Sequence, residues 1–167
     1  KLVIDNITTA LKMTDTSSIE MDWKHTDKGR VPNTIELFAK PAYSGDWTIL
    51  SGSGWNVQIN GSTDSNYGRV VFNYNNSNSI TSSLLPLFNG RFFGISVSSG
   101  SAGLRLDLRQ SEKERTIFSS SIVATGTTNW NTQGKLKLGG DYIGSVDEFR
   151  LWNEQLNTNT FYEHVSF

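Results

Sequence analysis

The segment Trp55–Tyr74, with the sequence WNVQINGSTDSNYGRVVFNY, contains two stretches in which apolar and polar residues alternate. A period of two residues is that of a β-strand with one buried face. The residues between the two stretches, 61–68, have the composition of a loop. The segment therefore predicts two consecutive strands joined by a loop. Their predicted buried faces comprise Trp55, Val57, Ile59, Val70, Phe72 and Tyr74.

The same alternation continues on both sides of this segment, and helical spacing is nearly absent. Turn signals such as Asn89-Gly90 separate the stretches, and Pro41 is expected to end one strand. Since each half-buried sheet must pack against another, we predict an all-β fold, a two-sheet antiparallel jelly-roll sandwich, with a closed barrel as the alternative. A short helix is expected over Asn157–Val165, capping an open edge of the sandwich. The other predicted inward residues are Ile19, Met21, Trp23, Ile35, Leu37, Ala39, Phe93, Ile95, Val97, Leu104, Leu106, Leu108, Leu136 and Leu138.

Length and composition limit the possible functions. A chain of 167 residues predicts one domain spanning 1–167, which we expect to be excised from a larger protein. The formal net charge is -1 and the basic residues are dispersed, so no nucleic-acid partner is expected. No stretch is apolar and long enough for membrane insertion. Without cysteine there is no disulfide framework, and a charged fraction of 19% is common in β-rich surface and extracellular proteins.

Two separated parts of the chain resemble laminin-G-like jelly rolls of the concanavalin A-like lectin and glucanase superfamily. Ala10–Met13, Ile19–Met21 and Asn33–Pro41 are similar to the opening strands of that family. Lys135–Gly140 followed by Gly144–Leu156, which contains the sequence GSVDEFRLWNEQL, is similar to its closing signature. The resemblance covers roughly residues 10 to 160 and implies the same jelly-roll fold.

The superfamily contains lectins, carbohydrate-binding modules, adhesion domains and glycosidases, so the shared fold leaves the function open. This chain departs from the family at Phe88–Phe93, where many members have a tryptophan followed by a histidine. Similar modules occur in secreted bacterial enzymes, in adhesins, and on phage tail and baseplate proteins that recognise cell-wall polysaccharide. The resemblance therefore implies an extracellular location, on a bacterial cell surface or a virion, within a larger multivalent assembly.

The retaining glycosidases of this superfamily use two carboxylates about 5 to 5.5 Å apart. In the corresponding segment here, Ser145 stands where the glucanases have their first carboxylate. Neighbouring Asp147 and Glu148 are expected on opposite faces of one strand. We expect Asp147 to be hydrogen-bonded to a nearby turn, and Glu148 to form an exposed pair with Arg150. No nucleophile constellation is visible, so the chain is predicted not to be an enzyme.

Neither of the two histidines, His25 and His164, has a metal-ligand partner at local spacing, and no cofactor is expected. A structural calcium ion is the open alternative, because relatives in this superfamily often hold one through loop carboxylates and carbonyls. No sequence run of the EF-hand type supports it. The loop carboxylates are Asp15, Asp27, Asp64 and Asp141.

The segment Gly126–Gly134, GTTNWNTQG, places Trp130 within a polar loop between Asn129 and Asn131. A sugar ring presents apolar C–H faces and a rim of hydroxyls, so its site needs an exposed aromatic ring and short polar side chains. Trp130 is therefore the first candidate for such a platform, with the two asparagines supplying donors and acceptors. The alternative is that Trp130 anchors the loop against a sheet edge.

Three more aromatic residues, Trp47, Tyr67 and Tyr142, fall in loops or at strand ends and are further candidates. Loops at one rim of a jelly roll converge, so some of them are expected to share a site. The polar candidates are Asp141, beside Tyr142, and Arg69, Asn73 and Asn75, which follow the polar face of one strand and its end. The aromatics assigned to packing are Trp23, Trp55, Phe72, Phe93, Phe149 and, against the terminal helix, Trp152.

These features predict a non-catalytic carbohydrate-binding module that recognises a cell-surface glycan or polysaccharide by aromatic stacking and Asn or Asp hydrogen bonds. One alternative is a structural or protein-binding domain in adhesion or assembly, which a contiguous exposed apolar patch would favour. A second alternative is a glycoside hydrolase whose carboxylate pair is not recognised in the sequence.

Overall fold

A computed structural model describes residues 10–22, 32–75, 77–113, 115–126 and 134–166, which form two six-stranded antiparallel sheets and one short helix. The predicted jelly-roll sandwich is confirmed as two packed antiparallel sheets. Trp23, which was predicted to lie in the core, and the loop carboxylate Asp27 lie outside the described residues, as does His25.

Each sheet combines strands from distant parts of the chain. Sheet A contains, in spatial order, β1 (Leu11–Met13), β12 (Gly144–Trp152), β3 (Thr34–Pro41), β8 (Phe93–Gly100), β9 (Gly103–Glu112) and β10 (Arg115–Ala124). Sheet B contains β2 (Ser18–Asp22), β11 (Lys135–Asp141), β4 (Asp46–Gly52), β5 (Trp55–Gly61), β6 (Gly68–Tyr74) and β7 (Asn78–Thr81). Strand β3 ends at Pro41, as predicted.

The core lies between the inner faces of the two sheets. The alternating apolar residues of β3, β5, β6, β8, β9 and β11 are buried there, as their period of two predicted. Ile19 was expected to be buried with them, but 42% of its surface is exposed. The reason is its position on β2, which is the edge strand of sheet B. Phe149 is only partly buried, although it packs against the core.

Helix α1 (Thr158–His164) lies within the predicted segment, with Asn157 as its N-cap and Val165 as its C-cap. The Asn157 Oδ1 atom accepts a hydrogen bond from the Thr160 N–H at 2.8 Å, which satisfies one of the free N–H groups at the helix start. Trp152 stacks on His164 of the helix, with ring centroids 5.5 Å apart, which confirms its predicted packing role. In the described part of the chain, no helix is long and apolar enough to cross a membrane.

The helix was expected to cap an open edge of the sandwich, and this detail is wrong. Phe161 and Val165 of α1 pack against Phe38, which alternates with the core residues of β3 and so lies on the outer face of sheet A. Gly94 lies opposite Phe38, and a Cβ atom there would be 2.5 Å from Val165 Cγ2. The helix therefore covers a face of the sheet, and it approaches closely because residue 94 is glycine.

Candidate functional site

The outer face of sheet B, which α1 does not cover, carries a row of polar side chains. In the strand register, Ser51 lies opposite Asn56, Asn56 opposite Asn73, and Asn73 opposite Ser79. The row thus crosses β4, β5, β6 and β7. Asn56 and Asn73, at the centre of the row, each lie between buried neighbours, so they result from the same period of two that forms the core. We call these four residues the amide row.

The amide groups at the centre of the row are hydrogen-bonded to one another and retain free binding groups. The Asn73 Nδ2 atom donates to Asn56 Oδ1 at 2.8 Å and to Gln58 Oε1 at 3.2 Å. Within the described ranges, Asn56 Nδ2, Gln58 Nε2 and Asn73 Oδ1 make no hydrogen bond. The cluster is therefore held in place while two NH₂ groups and one carbonyl oxygen remain available.

The amide row forms one wall of an open pocket of about 510 Å³. This volume is in the range of small-molecule sites, which is roughly 300–1,000 Å³. We call it the amide pocket. None of the described residues that line it has an ionisable side chain. Its lining residues are Ser51, Gly52, Gly54, Trp55, Asn56, Asn73, Ser77, Asn78 and Ser79.

Two tight turns place the pocket at one end of sheet B. Ser53 and Gly54 connect β4 to β5, and Gly54 has a φ of 77°, which glycine adopts without strain. The turn after β6 begins with Asn75, whose φ of 50° is one that asparagine tolerates better than most residues. Asn75 was predicted as a binding residue. Its exposed side chain lies beside the pocket and does not line it.

Trp55 is one of the lining residues, but nearly all of its side chain lies in the core beneath the pocket. Only 4% of its surface is exposed, and its ring meets Phe72 edge to face with centroids 6.2 Å apart. Gly52 makes room for the indole, because a Cβ atom at residue 52 would lie 2.2 Å from Trp55 Nε1. Trp55 is thus a packing residue, as predicted, and offers no open face on which a sugar ring would stack.

The other predicted aromatic residues lie near the opposite end of sheet B. Trp47 is half-buried against the core, and its Nε1 atom donates to the carbonyl of Tyr43 at 3.2 Å. The two rings meet edge to face, with Tyr43 on the solvent side at 54% exposure. Tyr67 is also exposed, in the loop between β5 and β6. These residues are therefore not brought together with Asn73.

Two polar candidates also lie toward that end. Arg69 is exposed on β6, opposite Asn60, and its guanidinium donates to the Ser82 carbonyl at 2.7 Å. Asp141 is exposed at the end of β11, opposite Thr48 of β4. The predicted polar residues are therefore divided between two ends of one face, because the sequence does not show which strands are neighbours.

Tyr142 was predicted to take part in sugar binding, and the structure contradicts this. Its side chain is fully buried in the core, and its hydroxyl donates to the Ser145 carbonyl at 3.1 Å. Burial accordingly raises the pKa of this hydroxyl. The glycine-rich sequence before it suggested a loop, but Gly139 and Gly140 belong to β11.

Trp130, Asn129 and Asn131 lie outside the described residues, so their role in sugar binding stays a prediction. The described strand that follows them, β11, starts at Lys135 and has Lys137 opposite Ser51 of the amide row. It therefore begins at the end of sheet B that holds the amide pocket.

The two fully buried carboxylates in the described part of the chain lie on the other outer face, beneath α1. Glu36 is fully buried and is bonded by Arg150, Trp152 Nε1 and His164 Nδ1, the last at 2.9 Å. Asp107 is also fully buried, and Arg105 Nε donates to it at 2.7 Å. Because the helix covers both groups and each has an arginine partner, they do not face each other across an open cleft as a glycosidase pair would.

The remaining candidate carboxylates, Asp147 and Glu148, lie at a bulge in β12, where Glu148 has a φ of 51°. Asp147 was expected to bond to a nearby turn, but its Oδ1 atom accepts the N–H of Glu148, the next residue of β12, at 2.8 Å. Its Oδ2 atom is buried and has no hydrogen-bond partner among the described residues. The expected pair between Glu148 and Arg150 is present, and Arg150 also binds Glu36. Among the described residues, no group of three or more His, Asp or Glu side chains is arranged to hold a metal ion.

Comparison with known proteins relates the fold to other β-sandwiches. No family model and no curated protein matches the sequence. The chain is similar in structure to a Ruminococcus gnavus IT-sialidase CBM40, with a TM-score of 0.58 and 7% identity over 94% of this chain and 96% of that one. It is also similar to the botulinum neurotoxin serotype C1 binding domain, with a TM-score of 0.47 and 11% identity over 78% of this chain. It covers only 36% of that domain's chain. At such low identity the likeness shows the fold alone.

Proposed function

We propose that this chain is a non-catalytic carbohydrate-binding domain and that the amide pocket is its binding site. The observation that carries the proposal is the amide row, whose side chains line an open pocket and keep free hydrogen-bonding groups. The fold supports it, since a CBM40 domain has the same β-sandwich architecture.

The chemistry of the pocket matches that of a neutral sugar. Each sugar hydroxyl both donates and accepts, so it pairs with a carbonyl oxygen and an NH₂ group placed side by side. Asn56 and Asn73 on adjacent strands present one free NH₂ group and one free carbonyl oxygen. Serine hydroxyls at both ends of the row extend this arrangement to about four strand widths, which is the length of a short oligosaccharide.

Affinity at such a site is expected to be modest, because an open polar pocket exchanges hydrogen bonds with water for hydrogen bonds with sugar. Several copies on one larger assembly would supply avidity. We therefore place the domain on an extracellular assembly, on a bacterial cell surface or a virion, that binds a glycan or polysaccharide. Trp130 would add the stacking face that Trp55 does not offer, with Asn129 and Asn131 beside it.

The decisive experiment is binding of the purified domain to an array of bacterial polysaccharides and common oligosaccharides, with Asn56→Ala and Asn73→Ala compared with wild type. Each substitution removes hydrogen-bonding groups from the pocket and should weaken binding by about tenfold, the equivalent of one hydrogen bond of about 1.4 kcal/mol. Asn153→Ala is the matched control, since Asn153 is exposed after β12 of sheet A.

Thermal melting of each variant separates binding from folding. Weakened binding in the two pocket variants, with normal melting and normal binding in the control, supports the proposal. Binding that is unchanged in both variants places the sugar elsewhere. If the wild-type domain binds no glycan, the protein-binding alternative takes its place.

A further inference from the structure

A second pocket, of about 250 Å³, lies at the end of sheet A where β3 ends and β12 begins. The polar side chains of this second pocket lie on the outer face of sheet A, whereas the amide pocket lies on sheet B. Most of its lining consists of backbone and apolar side chains at the strand ends, together with Gly90 from the loop before β8. Among the described residues that line it, the charged ones are Lys12 and Lys40.

The strand register brings the two lysines to one place. Lys12 of β1 and Lys40 of β3 both lie opposite Ser145 of β12, one on each side of it. Paired residues share a face, so the three side chains project together. The Cα atoms of the two lysines are two strand spacings apart, about 10 Å, and their flexible four-carbon stems allow both ammonium groups to reach one ligand above Ser145.

Neither ammonium group is neutralised by the rest of the described chain. No carboxylate in those ranges lies within 4.0 Å of Lys12 or Lys40. Lys40 Nζ lies 5.0 Å from the centre of the Phe92 ring, a contact that positions the charge and leaves it uncompensated. The Ser145 hydroxyl likewise has no hydrogen-bond partner within the described ranges, so it is free to donate to a ligand.

One carboxylate nearby sets the charge of the ligand. Asp147 follows Ser145 by two residues on the same strand and lies opposite Phe38 on the same face. Two ammonium groups and one carboxylate leave a net charge of about one positive unit in this region. This charge compensates a ligand with a single negative charge, whereas a dianionic phosphate monoester would keep one negative charge uncompensated.

We propose that this pocket binds a monoanionic oxyanion group, either a carboxylate or a phosphodiester, held between Lys12 and Lys40 and hydrogen-bonded by Ser145. Charge-assisted hydrogen bonds from ammonium groups to such oxygens are among the stronger polar contacts in proteins. The pocket has room for the charged group and the atoms next to it, and its apolar wall contacts the uncharged part. The site is independent of sugar binding in the amide pocket.

The test is a titration of the ¹⁵N-labelled domain, followed by amide NMR shifts, with D-glucuronate as the carboxylate probe and dimethyl phosphate as the phosphodiester probe. Methyl glucoside serves as the neutral comparison. We expect saturable shifts at the amides of Gly90 and Ser145 with an anionic probe and none there with the neutral one. A double variant, Lys12→Gln with Lys40→Gln, should bind that probe at least tenfold more weakly.

Lys113→Gln is the matched control, because Lys113 is an exposed lysine in the turn between β9 and β10. A response to glucuronate alone, or to dimethyl phosphate alone, supports the site and names its ligand chemistry. The proposal is overturned if neither anion gives saturable shifts at the pocket or if the double variant binds as tightly as wild type. Equal weakening by the Lys113 control also overturns it, because that result indicates a general charge effect. The control and the double variant should both melt as wild type does.

Discussion

The two outer faces of this sandwich are built by the same alternation of residues but end in opposite states. On sheet A, helix α1 covers the part of the polar face around Glu36, and this buried carboxylate is bonded by three side chains of the C-terminal region. On sheet B, the amide row faces an open pocket and keeps free donors and acceptors. Polar residues on a strand therefore do not by themselves mark a binding site. What matters is whether the chain itself satisfies them.

The largest expected effect is on the covered face, where Glu36→Ala removes a fully buried carboxylate and the bonds that it forms with Arg150, Trp152 and His164. We expect a loss of about 3 kcal/mol in the free energy of unfolding, because breaking a buried ion pair is costly. Urea unfolding measures it. Glu112→Ala is the control, since Glu112 pairs with Arg91 at the surface and should cost about 1 kcal/mol or less. Equal losses in the two variants would remove the contrast between a covered and an open face.

Two glycines allow the faces to be disturbed separately by the same change. Gly52→Ala places a methyl group against Trp55 under the amide pocket, and Gly94→Ala places one against Val165 under α1. Each should destabilise the fold by about 1 to 3 kcal/mol, because both positions are already filled. Only Gly52→Ala should also weaken glycan binding, by about tenfold. Calorimetric titration of each variant with a glycan that the wild-type domain binds measures this difference. Weaker binding in the Gly94 variant would indicate that glycan binding is not confined to the face of sheet B.

Tyr142 lies in the core, on neither face, and its effect is smaller and depends on pH. Burial raises the pKa of its hydroxyl, so the folded state holds the proton after the unfolded state has lost it. Stability is therefore complete below the ordinary tyrosine pKa of about 10 and falls as pH rises above it. Tyr142→Phe should cost about 1 kcal/mol at neutral pH through the lost bond to Ser145 and should lose less stability above pH 10.

Urea unfolding between about pH 8 and pH 11 checks this expectation, since that range spans the ordinary tyrosine pKa. Part of the alkaline loss should persist in the variant, because burial also raises the pKa of Tyr162. If wild type and variant lose stability in parallel, Tyr142 does not ionise with a raised pKa.

The smallest effect on stability is expected for Trp130→Ala, together with a clear effect on binding. A tryptophan that serves as a sugar platform contributes little to folding. The free energy of unfolding should therefore stay within about 0.5 kcal/mol of the wild-type value. Glycan binding should fall by about tenfold or more, since a stacking surface is lost. The glycan array and thermal melting report both quantities. A variant that binds normally but melts early would make Trp130 a loop anchor.

The period of two in the sequence predicted most of the core and the strands β2, β3, β5, β6, β8, β9 and β11, whereas β4, β7 and β10 were not named as strands. The two-sheet architecture followed, because each half-buried sheet must pack against another. Trp55, Phe72 and Phe93 were all assigned correctly to packing, because burial of alternate residues depends on local sequence alone. Helix α1 lies within the segment predicted as a helix, and Asn157, a favoured N-cap residue, caps its start. Ile19 shows the limit, because the sequence does not reveal that β2 is an edge strand.

The candidate site was predicted only in part. Asn73 was named, whereas Ser51, Asn56 and Ser79 were missed, because their grouping depends on which strands pair and in which register. A signal was present in the uncharged amides at the polar positions of β5, where charged residues are more common on a solvated face. Tyr142 was misplaced because its glycine-rich neighbours resemble a loop and instead belong to the end of a strand.

The bonds of Glu36 also bear on how the chain is made. Its partners Arg150, Trp152 and His164 follow it by 114, 116 and 128 residues. A ribosome adds about 5 to 20 residues per second. The partners of Glu36 are therefore synthesised several seconds or more after Glu36 itself. Contacts between such distant residues also slow folding. Sheet A is therefore expected to close last, when its final strand and helix leave the ribosome, and chains stalled before residue 150 should be sensitive to proteases.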